Sequence, residues 1–157
     1  MASPTEIHHG PKTPCEVSHL LRREIQAPIA AALIRGYAEA LGKDRALEIA
    51  AAAVSADAMA AGRVAAACPG GGSLIQLERL VREVWSAGDA MSVRFLQSTD
   101  RTLHFDVTRC GYAELYERLG MRELGFCLSC SRDDPFARGY NPHLKLMRTR
   151  TLMQGAP

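Results

Sequence analysis

Apolar residues recur at three- and four-residue steps from Val17 through Leu20, Leu21, Ile25, Ile29, Leu33 and Tyr37 to Leu41, which lines one face of a helix. Thr13, Pro14 and Glu16 combine an N-cap, a proline at the first helical position and a capping-box glutamate, so this helix is expected to open at Thr13. Pro28 should kink it and Gly42 should end it. A second helix is predicted from Asp44 to about Ala67, carrying Leu47, Ile49, Val54, Met59 and Val64 among many alanines; Cys68-Pro69 stops it. After Gly70-Gly71-Gly72, Ser73 and Gln76 form another capping box, and Leu74, Leu77, Leu80, Val81, Val84 and Trp85 predict a third helix ending near Gly88.

The period then falls to two. Val93 and Phe95, then Leu103, Phe105 and Val107, flank the polar turn Ser98–Arg101 and predict a β-hairpin. Helical spacing returns over Tyr112 to Leu119 and stops at Gly120; Met121 to Cys130 fits a short further helix, and His143 to Leu152 reads as extended. Segregated helices and hairpin argue for an α+β fold, with N-terminal helices packed on a small antiparallel sheet. Residues 1–12, rich in Pro, Gly, His and Ser/Thr, read as a flexible leader, and 13–157 as one domain with a helical part (13–88) and an α+β part (89–157).

Composition leaves that picture intact. The apolar share of 47% and charged share of 23% are ordinary for a globular chain. Nineteen basic and 17 acidic residues are interspersed, giving a formal charge of +2 and no basic face for nucleic acid. No secretory pattern opens the chain and no uninterrupted apolar run reaches a bilayer's thickness, so neither membrane nor export is expected. Five cysteines, Cys15, Cys68, Cys110, Cys127 and Cys130, form an odd, irregular set that suits reduced thiols and a cytoplasmic location. The expected partner is a small-molecule substrate; self-association through the alanine-rich helices stays open, and the sequence identifies no cofactor.

Three segments could carry chemistry. In the second hairpin strand, alternation puts His104, Asp106 and Thr108 on one face, with Cys110 just beyond that row. A Cys110 that opens the following helix would have its thiolate favoured by the helix dipole, with His104 to assist it; the same pattern equally fits a solvated sheet face and a buried filler thiol. Cys127 and Cys130 make a CxxC followed by Asp133 and Asp134, open to redox, metal or hydrolytic readings, without the βαβ context or second ligand pair that would select the first two. Asn141 to Thr151 gathers guanidinium groups and hydroxyls, a set able to clamp a carboxylate or simply to face solvent. No GxSxG, GxxxxGK, HExxH or GxGxxG occurs.

The order of these residues matters more than any one of them. Phe105-Asp106-Val107-Thr108-Arg109-Cys110, Tyr112-Ala113-Glu114, Cys130-Ser131-Arg132-Asp133, Asn141-Pro142 and Leu146 to Gly155 together resemble the L-2-aminothiazoline-4-carboxylate hydrolase family over roughly residues 74 to 155. The family pattern continues with a cysteine and an aromatic beyond the position of Gly155. The resemblance implies opening of a thiazoline ring to N-carbamoyl-cysteine, and more broadly a hydrolase acting on non-peptide C–N bonds of a small cyclic amidine. On that reading Cys110 or Cys130 acts as nucleophile or polarises the site, Asp133 serves as general base or acid with His104 nearby, and Asn141, Arg148, Thr149 and Arg109 bind substrate. A direct-water route through Asp133 is equally physical. The rivals are a non-catalytic small-molecule-binding domain and a thiol-based metal protein using Cys110, Cys127, Cys130 and Asp133 or His104.

Overall fold

The computed structural model describes residues 17–156 and is α+β. Two long helices, α1 (His19–Leu41) and α2 (Lys43–Ala66), lead into α3 (Leu74–Arg79), the antiparallel hairpin β1 (Met91–Ser98) and β2 (Leu103–Cys110), and then α4 (Gly111–Arg118), α5 (Arg122–Leu128) and α6 (Asp133–Tyr140). The leader and the expected capping box at Thr13 to Glu16 lie outside the described residues. Within them α1 opens at His19, where Ser18 accepts the Leu21 N–H at 3.2 Å. Pro28 sits inside an unbroken α1, and Gly42, at φ 85°, ends α1 and starts α2 with no loop between. That left-handed angle is one that glycine adopts without strain.

The two long helices do not cover the hairpin; α3 does, while α1 and α2 pack against α4, α5 and α6. The core joins Ala27, Ala31 and Ile34 of α1 to Tyr116, Met121, Leu124, Leu128 and Met153. The regular stripe of larger α1 residues faces solvent, so the buried side of this helix is the small one. Helices α2 and α6 meet through reciprocal glycines: Gly62 lies against the backbone of Phe136 and Tyr140, and Gly139 against that of Met59. Helix α2 is also long and apolar enough to cross a membrane, with a mean hydropathy of 1.3 over its most apolar stretch. Asp57 interrupts that stretch and pairs with Arg132 at 2.5 Å.

The third helix departs from expectation after Arg79. Ser73 caps it by accepting the Gln76 N–H at 3.3 Å, but Leu80–Trp85 widens into a π turn, with the Ser86 N–H donating to the Val81 carbonyl at 3.0 Å. The widening aims the Trp85 ring edge-on at Phe136, 5.1 Å between centroids, and its carbonyl at the Tyr112 hydroxyl, which donates at 3.2 Å. Helix α6, not expected from the sequence, carries Pro135 in its first turn, where a proline breaks no helical hydrogen bond. Residues 144–151 have no regular structure and no strand partner.

In the hairpin, Val93 pairs with Val107 and Phe95 with Phe105, their rings 5.4 Å apart, as the two-residue period requires. Ser92, however, pairs with Arg109, leaving Thr108 as an extra residue in a β-bulge. The bulge shifts the alternation by one. Cys110, opposite Met91, therefore turns to the partly buried side with Val107 rather than joining the polar row.

Candidate active site

Three short pieces of chain converge at the N-terminus of α6. Ser129 stops α5, and its carbonyl accepts the Arg132 N–H at 3.1 Å, starting the 3₁₀ turn Cys130–Arg132; the Ser131 hydroxyl donates to the Cys127 carbonyl at 2.5 Å. The turn delivers Asp133 as the first residue of α6, where the helix dipole favours a carboxylate. From the other side comes the C-terminal tail, lashed to α5 by Arg122, which donates to the carbonyls of Met153 and Leu152 at 3.3 Å each. The tail brings Arg148 over the ring of Phe126, with 5.8 Å from guanidinium to centroid. Arg148 donates to Asp133 Oδ2 and, through its other terminal nitrogen, to the Cys130 carbonyl at 3.2 Å.

Burial pushes the Asp133 carboxyl up to about 6, against the opposing pull of Arg148 and, more weakly, Arg132. Yet 45% of its side-chain surface remains open, so it is recessed among protein atoms but reachable by water. Burial likewise pushes the Cys130 thiol up to about 11, helped by Asp133 and opposed by Arg148. Cys110 ends β2 and precedes α4 without capping it through its side chain; the nearby backbone N–H groups of Ala113 and Tyr112 favour its thiolate, but burial outweighs them and raises its pKa. Both thiols are therefore held protonated near neutral pH, contrary to the thiolate expected at a helix start. Cys127 is also raised by burial.

The structure gathers Cys110, Cys130, Asp133 and Arg148 within one electrostatic environment, and leaves the other sequence candidates outside it. His104 is exposed, six residues up β2 from Cys110, roughly 20 Å along an extended strand and on the opposite face. Asn141 is consumed by backbone: its Nδ2 donates to the Gly72 carbonyl at 2.8 Å and its Oδ1 accepts the His143 N–H at 2.9 Å, clamping the tri-glycine loop to α6. Arg109 donates to the Asp89 carbonyl at 2.7 Å and to Glu114 at 2.5 Å. Thr149 is exposed and makes no hydrogen bond among the described residues; its neighbour Thr151 is the hydroxyl within reach of the Cys130 thiol.

Three further groups were not among the candidate site residues read from sequence. Tyr112, raised to about 12 by burial, lies within the fields of Arg23, Cys110 and Asp133. Arg23, partly buried on α1, bonds the Gln26 side chain at 3.0 Å and has no carboxylate partner among the described residues, although Arg132 crowds it. The Ser86 hydroxyl is buried without a hydrogen-bond partner among the described residues. No three His, Cys, Asp or Glu side chains converge among the described residues, so the metal reading finds no ligand set there. A shallow cavity of about 180 Å³ between Cys68, Gln76, Glu83 and Tyr140 shares no residue with the Asp133 cluster and lacks its charge pairing.

No curated protein and no solved structure matches the chain. A family model described as L-2-amino-thiazoline-4-carboxylic acid hydrolase matches residues 22–157, which takes in both long helices as well as the hairpin, the Asp133 turn and the tail. A match across that span, with the order of Cys110, Cys130, Asp133 and Arg148 inside it, makes this chain a member of the L-2-amino-thiazoline-4-carboxylic acid hydrolase family.

Proposed function

We propose that the chain hydrolyses a small cyclic amidine bearing a carboxylate, of the thiazoline type, with Asp133 activating water directly. The observation that carries this reading is the recessed Asp133–Arg148 pair, a carboxyl poised near pH 6 beside thiols held protonated. A base of that strength removes a proton from water near neutral pH, whereas a neutral buried thiol is a weak nucleophile.

The substrate carboxylate competes with Asp133 for the Arg148 guanidinium, and its amidine lies against Asp133. Arg148 thus both holds the substrate and frees the base. Water adds to the amidine carbon as Asp133 takes a proton. Collapse to the urea carbonyl expels the ring sulfur. Water's two hydrogens end on the ring nitrogen and the departing thiol. An N-carbamoyl product keeps both nitrogens on that carbon, so the ring C–S bond is the one broken, in place of the C–N bond expected from sequence. Cys110 and Cys130 shape the recess.

Incubation with L-2-aminothiazoline-4-carboxylate, following the ring-opened carbamoyl product by mass spectrometry, tests the reading. Turnover by the wild type and a loss of ~10²–10⁴-fold in Asp133→Asn is the expected result. Ring opening at the wild-type rate in Asp133→Asn, or none by the wild type with any cyclic amidine, overturns it.

A further inference from the structure

The first turns of α1 pack beside the site. A Cβ placed on Gly111, the residue between Cys110 and Tyr112, would meet the Leu20 side chain at 3.4 Å, and Glu24 pairs with Arg118 of α4 at 2.6 Å. Arg23 lies between these two anchors. At about 100° per residue it points within about 40° of Ala27 and about 20° of Ile34, so it extends the buried side of the helix. Tyr112, Tyr116 and Cys130 pack on that same core.

A second guanidinium meets Arg23 there. Arg132, in the turn that delivers Asp133, has a side chain only 17% exposed and bonds Asp57, itself 70% exposed, at 2.5 Å. Arg132 crowds Arg23, and both act on the Tyr116 side chain. One turn before Arg23, the His19 imidazole is held below its usual range by burial and then by Arg22, Arg23 and Arg132. Tyr116 is 1% exposed, and its hydroxyl makes no hydrogen bond among the described residues. Two recessed guanidinium groups therefore share one solvent-facing carboxylate, Asp57, beside a hydroxyl with nothing to donate to. Like charges drawn together out of water repel unless an anion sits with them.

We propose that Arg23, Arg132 and the Tyr116 hydroxyl form an oxyanion subsite that adjoins the Asp133 recess and takes a carboxylate or a phosphate. The parts suit that class of ligand. A guanidinium fork matches two oxygens of one carboxylate or phosphate, and the tyrosine O–H adds a directed donor. Arg148 is already bonded to Asp133 and to the Cys130 carbonyl, whereas Arg23 holds only the neutral Gln26 amide, at 3.0 Å. The ligand is either the acidic group of the substrate or a separate small oxyanion, and the recognition chemistry is the same for both. The subsite stands apart from the hydrolase reading, because its occupancy is measured without turnover.

Isothermal titration of the purified chain with inorganic phosphate, in low-salt buffer at pH 7, is expected to show saturable binding. Arg23→Gln should weaken it at least roughly tenfold, the loss of one charge-assisted hydrogen bond. Its melting temperature without phosphate should stay the same or rise, because a crowded charge is gone; a merely structural arginine would lower it. Tyr116→Phe should weaken binding severalfold with the fold intact, since the hydroxyl it removes bonds nothing among the described residues. Arg148→Gln should bind phosphate as the wild type does. Heats that do not saturate, an affinity unchanged in Arg23→Gln, or binding lost in Arg148→Gln each overturn the proposal. Repeating the titration on Asp133→Asn with L-2-aminothiazoline-4-carboxylate present identifies the source of the anion: competition assigns the subsite to the substrate's acidic group, and independent binding assigns it to a separate oxyanion.

Discussion

Arg148 holds Asp133 from a tail with no secondary structure, while its second terminal nitrogen holds the Cys130 carbonyl three residues before Asp133 in the chain. One guanidinium thus fixes both the base and the turn that delivers it. Removing it affects charge as well as position. Arg148→Ala should raise KM roughly 10- to 100-fold if the guanidinium binds the substrate carboxylate. It should also move the acid limb of the kcat/KM profile above pH 6, because Arg148 opposes the burial that raises Asp133. A lysine should restore the limb better than the KM, since it replaces the charge without the fork.

Asp133→Asn separates stability from activity. The folded carboxyl titrates near 6 against an ordinary 3.8, so the fold prefers the protonated form. The penalty is absent below about pH 4, develops as pH rises toward 6, and is complete above it. Discounted for partial exposure, its removal should stabilise the protein by about 1 kcal/mol at pH 8 and by nothing at pH 4, read by thermal melts. Turnover should fall by ~10²–10⁴-fold.

Cys130→Ala and Cys110→Ala should each keep turnover within about tenfold of wild type, and mass spectrometry of a quenched reaction should find no adduct on either sulfur. Iodoacetamide at pH 7 should label exposed Cys68 before either of them.

Gly62→Ala should destabilise by about 2–3 kcal/mol, or roughly 5–10 °C in Tm, because its Cβ would collide with the Phe136 and Tyr140 backbone and force α6 away from α2. Asp133 rides on α6, so activity should fall alongside stability.

Ser86→Ala should be neutral or stabilising by up to about 1 kcal/mol, since it removes a buried hydroxyl that bonds nothing among the described residues. Loss of substrate affinity without loss of stability would instead show that the ligand uses this hydroxyl.

Sequence reasoning recovered what depends on local chemistry. Ser73 as a cap, Gly42 and Gly120 as helix ends, and the hairpin carrying Val93, Phe95, Phe105 and Val107 follow from propensity and period alone; which residues pair across it does not. It also selected Cys110, Cys130, Asp133 and Arg148. It could not see which apolar face of α1 would be buried, because Ala27 and Ala31 contribute close approach rather than hydrophobicity. Asn141 and Arg109 looked available because their partners, Gly72 and Asp89, are distant in sequence and accept through backbone carbonyls. Arg23 was one basic residue among several, and only the fold places it beside Tyr112 and Arg132.

The bulge at Thr108 works as a parity switch for the site. An ordinary hairpin strand has two sides and no freedom in assigning them: with Phe105 and Val107 inside, every even-numbered residue would point out. One inserted residue makes an even number face inward, so the same strand both closes the apolar hairpin and presents a thiol to Asp133. Pairing Thr108 in register instead of looping it out would leave the Phe95–Phe105 stack untouched while turning Cys110 toward water, whereas deleting it would keep Cys110 inward and remove only the bulge's bend. The number of paired residues between Val107 and Cys110 is thus a counted quantity here, and one more or one fewer would uncouple a sound fold from a working recess.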